Sequence, residues 1–216
     1  MLRTQHRDPL LTHVFHDDFE RAQLGPSWLA LAPAWRVVDG QLCGREAKNR
    51  GVWLRRRLPT NVRIEVDAVA RSEAGDIKLE IFGDGRTGAT SASYRNASGY
   101  VLIYGGWRNS LHVTARLDEH GIDRAVTEVA PGATARAAPV VAGRRYHITV
   151  ERRDGRSLAW WVDGEPIHEI EDSEPLVGPG HDHLAFNVWS APVCFDNLVV
   201  TPLQEKPSAA PADPAQ

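Results

Sequence analysis

Polar and apolar positions alternate along much of this chain. In Val62-Arg63-Ile64-Glu65-Val66-Asp67-Ala68-Val69, the side chains of Ile64, Val66 and Ala68 point one way and those of Arg63, Glu65 and Asp67 the other. The same period of two recurs in residues 77–81, 111–117 and 146–151. Strands with one apolar and one polar face are what an antiparallel sandwich is built from. Turn signals separate them. Trp35-Arg36-Val37-Val38 meets Asp39-Gly40 and then Gln41-Leu42-Cys43, and 158–162 meets Asp163-Gly164 and then Glu165-Pro166-Ile167. Asp-Gly between apolar runs is a strong hairpin signal, because both turn positions need positive φ. Helical periodicity is weak, confined to single turns at 17–24 and 173–177. The pattern predicts about eleven or twelve strands and almost no helix.

Residues 1–12 read as a loosely held arm and 13–203 as one domain. Residues 204–216 are a Pro/Ala-rich tail with too little apolar surface to offset its ordering entropy. At 216 residues, 42% hydrophobic and 25% charged, the composition is that of a globular chain. Lys and Arg number 25 against 28 Asp and Glu, a net charge of −3. That balance argues against a nucleic-acid partner. Arg55-Arg56-Arg57 is the densest basic patch, and in a strand it splits between two faces, as a solvated edge does. No apolar run approaches the length of a membrane span, so no membrane insertion is expected. Met1 to His13 holds Arg3 and Arg7 but no apolar run of a signal peptide. The compartment is therefore cytoplasmic as the chain stands, or extracytoplasmic if a leader was removed. Cys43 and Cys194 are too few for a disulfide scaffold and are expected as buried free thiols, with pairing the alternative if the chain ends meet.

Three segments carry a resemblance. They are Phe15-His16-Asp17-Asp18-Phe19-Glu20-Arg21 with Leu24-Gly25-Pro26-Ser27-Trp28, the Trp35 to Leu42 hairpin, and Val193-Cys194-Phe195-Asp196-Asn197-Leu198-Val199-Val200. Arg145-Tyr146-His147-Ile148-Thr149-Val150 before the Asp163-Gly164 hairpin agrees with them. Over residues 14–202 the chain resembles the concanavalin A-like lectin/glucanase superfamily, and more narrowly bacterial laminin-G-like and 3-keto-disaccharide-hydrolase-like jelly rolls. The resemblance implies an all-β, two-sheet antiparallel jelly-roll sandwich whose first and last strands pair. It also implies a glycan held on the concave sheet or its rim loops. It does not choose a function, because this fold hosts lectins, glycosidases, lyases and adhesion modules.

Glycosidases need two carboxylates across a groove. Laminarinase-type glucanases of the superfamily carry theirs as Glu-x-Asp-x-(x)-Glu on one strand. The near match here, Glu65-Val66-Asp67, lacks the third acid, and the segment equivalent in strand order, 99–107, carries none. Glu65 and Asp67 therefore read as a solvent-facing polar face. Asp76, Lys78, Glu80 and Asp84 share a neighbouring segment, with Lys78 and Glu80 on one face. A Glu80 of raised pKa, working with His112, is the weak catalytic candidate.

Two metal readings arise. His181-Asp182-His183 is a two-ligand arm without an evident third ligand for zinc. The resemblance implies a structural calcium ion joining the first and last strands, for which Asp18 (or Asp17) and Asp196 are placed. No other cofactor is called for.

Seven Trp in 216 residues is high. Trp28, Trp35 and one of Trp160 and Trp161 read as packing. Tyr104-Gly105-Gly106-Trp107-Arg108-Asn109-Ser110-Leu111-His112 is the most informative stretch: the glycines allow a tight turn that presents Trp107 and Asn109. Flat aromatics with fork-like polar groups are what a saccharide site needs. Lys78, Glu80, Tyr104, Trp107, Asn109, His112, Arg116, Asn187 and Trp189 are the expected ligand-binding set. The leading expectation is a non-catalytic, lectin-like glycan-binding domain. The alternatives are a glycan-acting hydrolase or lyase using Glu80 and His112, and an adhesion module without a small ligand.

Overall fold

The computed structural model describes residues 8–133 and 135–204. Most of the expected N-terminal arm and all but the first residue of the expected tail lie outside them. The described residues form β1 (Phe15–Asp17), β2 (Trp28–Ala30), β3 (Trp35–Val38), β4 (Gln41–Gly44), β5 (Val52–Leu54), β6 (Val62–Ala70), β7 (Ile77–Gly83), β8 (Tyr100–Gly105), β9 (Leu111–Arg116), β10 (Ala125–Glu128), β11 (Arg145–Arg152), β12 (Ser157–Val162), β13 (Glu165–Glu171), β14 (His183–Asn187) and β15 (Val193–Pro202). The additional strands over the sequence reading are short pieces such as β2 and β5, too brief for alternation to register.

All pairings between these strands are antiparallel, in two sheets. One runs β13-β12-β11-β6-β15-β4-β3 with β1 added along β15, and the other runs β10-β9-β8-β7-β14-β5-β2. The first and last strands pair, as the resemblance implies. Asp39 and Gly40, and Asp163 and Gly164, take the positive φ angles that the two hairpins require.

Alternation turns into packing between the sheets. Ile64, Val66 and Ala68 from β6 and Leu79, Ile81 and Leu102 from the other sheet belong to one buried core. Across the gap, the rings of Phe186 (β14) and Phe195 (β15) stack at 4.2 Å. Each such side chain contributes about 1.5–3 kcal/mol by leaving water. Trp28, Trp35 and Trp160 are core, as expected, while Trp161 is half-buried.

One expectation is corrected. Cys43 and Cys194 are not free thiols but a disulfide. The β4–β15 register places them directly opposite each other, so the pairing follows from topology rather than from spacing along the chain. At the start of the described residues, Arg57 N–H donates to the Pro9 carbonyl, Leu11 N–H donates to the Arg57 carbonyl, and Leu11 is buried.

The outer face of the seven-stranded sheet is partly covered. Residues 84–99 fold over it, and Tyr94 and Ala97 pack with Val101, Ile103, Val113 and Ala115 in a second apolar cluster. What remains open at the edge of that cover is a cleft lined by Lys78, Trp107 and Trp189 among others.

Candidate functional site

Strand β7 sets the floor of the cleft. Its alternation turns Ile77 and Leu79 into the core and Lys78 and Glu80 outward, and the register sets Asn187 beside Lys78. Lys78 is only 2% exposed. Its ammonium donates to Asn49 Oδ1 at 2.8 Å and to Glu119 Oε2 at 2.9 Å, and lies 3.7 Å from Asp76 Oδ1. Burial works against this charge, but the Asp76 and Glu119 carboxylates outweigh it and hold the Lys78 pKa above its ordinary value.

Both carboxylates are fixed in turn. Glu119 Oε1 accepts from Asn49 Nδ2 at 3.3 Å and from the Tyr94 N–H at 3.4 Å, and lies 3.3 Å from His120 Nε2. Asp76 Oδ2 accepts the Trp189 N–H at 2.7 Å. The result is a preorganised floor of opposed charges under an opening of about 380 Å³, lined by Asp76, Lys78, Glu119, His120, Trp107 and Trp189 among others.

Two indoles contribute to its walls. Trp107 stands on a tight turn in which Trp107, Arg108 and Asn109 all take left-handed φ, of 50°, 59° and 63°. Asn109 pins that turn: its Nδ2 donates to the carbonyls of Val140 (2.7 Å) and Glu73 (3.1 Å), and its Oδ1 accepts the Val140 N–H at 2.9 Å. Gly75 lets the neighbouring loop close in, since a Cβ there would overlap the Gly105 carbonyl. A cation lies over each indole: Arg124 is 4.9 Å from the Trp107 ring and Lys48 4.7 Å from the Trp189 ring. Such cation–ring contacts favour one orientation of each indole.

The expected binding set divides. Lys78, Trp107 and Trp189 meet at the cleft. Asn109 supports it through the turn. Asn187 lies beside Lys78, 1% exposed, with its Oδ1 accepting the Val188 N–H and its Nδ2 without a partner among the described residues. Glu80 is fully buried and accepts hydrogen bonds from Tyr94 Oη, Ser98 N, Ser98 Oγ and Gly99 N. Burial pushes its pKa up to about 7, against those donors. It anchors the covering segment rather than facing a ligand.

Tyr104, His112 and Arg116 lie on the opposite, inner side of the same sheet. Tyr104 stacks on His112 at 4.2 Å. The Gly105 N–H donates to His112 Nδ1, so Nε2 carries the proton given to the Ala138 carbonyl. Burial pushes the His112 pKa down to about 4. Arg116 donates to Asp172 Oδ2 and the Glu174 carbonyl. The expected Glu80–His112 acid–base pair is therefore separated by the sheet itself. Glu80 pairs with Val101 and Val101 with Ala115, and His112 is an odd number of positions from Ala115.

Asp76, Glu119, His120 and Asn49 complete the site. Asp76 was legible through its spacing of two from Lys78. Asp118-Glu119-His120-Gly121 reads as a solvated turn and gives no signal of its own.

The metal readings find separate partners instead of a shared centre. Asp18 Oδ1 accepts the Glu20 N–H, while Asp17 binds Arg21 and the Trp28 indole. Asp196 accepts from Gln41 and lies 3.6 Å from Arg145. His181 Nδ1 donates to the Ser98 carbonyl, and His183 lies against Asp182 and Asp8. Among the described residues no three His, Cys, Asp or Glu side chains are grouped to hold a metal.

Solved structures place this architecture. The CBM66 carbohydrate-binding module from Bacillus subtilis superposes with a TM-score of 0.58 at 16% identity, over 81% of this chain and 95% of that one. The chain has the concanavalin A-like jelly-roll fold. The alginate lyase Aly36B matches with a TM-score of 0.57 at 12% identity, over 90% and 98% of the two chains. A structure from work on endo-acting O-glycanases of the human gut microbiota matches with a TM-score of 0.58 at 15% identity, over 88% and 99%. No family model and no curated protein matches the sequence. No helix among the described residues is long and apolar enough to cross a membrane.

Proposed function

We propose that this jelly roll binds a glycan in the cleft between Trp107 and Trp189. One observation carries the reading: two restrained indoles share a cleft with a buried Lys78–Glu119–Asp76 floor. Indole faces suit the apolar faces of pyranose rings, and fixed charged groups suit pairs of hydroxyls. Two carboxylates answer the single Lys78 ammonium within the fold, so the floor carries no unmet positive charge and can receive neutral hydroxyls. The similarity of fold to a carbohydrate-binding module, a lyase and an O-glycanase-related structure supports a saccharide as the ligand class. The disulfide favours an oxidising compartment.

The test is an oligosaccharide array combined with an assay for newly released reducing ends. The expected result is retention of at least one glycan, reduced at least tenfold by Trp107→Ala and by Trp189→Ala. Their melting midpoints should fall by only a few degrees, about 2–4 °C per kcal/mol for a domain of this size. Full retention by both variants overturns the reading.

A second reading, a glycan-cleaving enzyme, is favoured by His120 beside Glu119. A carboxylate-held imidazole at a cleft wall is suited to proton transfer. Release of reducing ends by the wild type, lost in His120→Gln while retention persists, supports it. Retention without any release leaves the binding module.

A further inference from the structure

A second cavity holds a charge that the described residues do not balance. Arg152 ends β11 on its inner side and is 2% exposed. Its Nε donates to the Thr60 carbonyl at 2.6 Å and its Nη1 to the Leu176 carbonyl at 2.8 Å. Neither bond uses Nη2. The guanidinium lies over the Phe82 ring, 3.2 Å from its centroid. No Asp or Glu among the described residues forms an ion pair with it. The carboxylates whose field reaches it are otherwise engaged: Asp172 accepts from Tyr100 and Arg116, and Asp154 caps the turn at Arg156 and Ser157. Burial pushes the guanidinium pKa down to about 10, so the charge is kept at neutral pH.

Arg152 lines a cavity of about 250 Å³ together with Leu10, Arg57, Pro59, His181 and Asp182 among others. The carboxylate there, Asp182, lies 3.8 Å from Arg57, which also donates from Nε to the Asp8 carbonyl. His181 uses Nδ1–H on the Ser98 carbonyl. Counting Asp182 against Arg57 leaves the Arg152 charge over. A buried ion without a counter-charge is costly, and a guanidinium fork matches the paired oxygens of an oxyanion.

We propose that this cavity binds an oxyanion (a carboxylate, sulfate or phosphate group) on Arg152, with Arg57 beside it. The group belongs either to an acidic sugar or to an inorganic ion. The site is independent of the indole cleft.

The experiment is calorimetric titration of the full chain with sodium sulfate, sodium phosphate and sodium glucuronate, at ionic strength matched with sodium chloride. Melting midpoints are followed in parallel. Saturable heat and a saturable midpoint rise are expected for at least one of the three, at least tenfold weaker in Arg57→Gln and absent in Arg152→Met. Response to glucuronate alone assigns a sugar carboxylate, and response to sulfate or phosphate assigns those groups. A midpoint rise that does not saturate and is equal in wild type and variants is ordinary salt exclusion and overturns the proposal. So does the absence of heat with all three anions. If Arg152→Met does not fold, the wild-type titration and Arg57→Gln still decide.

Discussion

Lys78 and Arg152 are both 2% exposed, yet they are held in opposite ways. Lys78 sits between two carboxylates and an amide, and its charge is answered within the fold. Arg152 has two carbonyls and an aromatic face, and its charge is answered only in part. The first arrangement makes a rigid polar floor that can meet neutral hydroxyls. The second leaves attraction for an anion. Equal burial thus says little about role. The counter-charge decides it.

Breaking the Lys78 site should have the largest effect. Glu119→Ala leaves Lys78 with Asp76 and Asn49 and orphans Asn49 Nδ2 and the Tyr94 N–H, and should cost about 3 kcal/mol of stability, read by denaturant unfolding. Replacing both, as Lys78→Met with Glu119→Leu, should cost less than the single change. An equal or larger loss in the double variant would contradict the account of the floor.

Acid acts on other buried groups, those held neutral. His112 and His168, a buried β13 residue whose ring nitrogens meet the Thr114 and Thr127 hydroxyls, are both pushed by burial down to about 4. The unfolded chain therefore binds more protons below the ordinary imidazole value of about 6.5, and stability from these groups falls as pH drops from there toward 4. The loss is on the order of 2–3 kcal/mol for each histidine at the acid end. Glu80 runs the other way: its pKa is raised to about 7, so its contribution is complete below the ordinary carboxylate range and declines as pH rises through 7. Glu80→Gln should flatten that decline, and His168→Asn the acid loss, in pH-dependent melting curves.

The smallest effect is expected at the unbalanced site. Without added anion, Arg152→Met removes a buried charge along with two hydrogen bonds. These terms offset each other, for a net change within about 1.5 kcal/mol. A loss as large as that of Glu119→Ala would mean that Arg152 is a structural keystone rather than a ligand group.

The two sites were unequally legible in the sequence. Strands and hairpins depend on neighbours in sequence, so the alternation of 62–69 and the Asp-Gly pairs at 39–40 and 163–164 reveal them directly. Lys78, Trp107 and Trp189 stood out by residue type and local spacing. Glu119 meets Lys78 from 41 positions away through a turn with no periodic pattern. The separation of Glu80 from His112 depends on the β7–β8–β9 register, which no single strand encodes. The same holds for Cys43 and Cys194, joined by the β4–β15 register over a separation of 151 residues. Burial of Arg152 in a cavity is likewise a product of chain segments meeting from four parts of the sequence.

The most direct test of the glycan cleft is isothermal titration of the wild type and of Trp107→Ala/Trp189→Ala with the oligosaccharide retained on the array. One-site binding that disappears in the double variant, while its unfolding remains cooperative, is the predicted result. Equal affinity in the two proteins would contradict it.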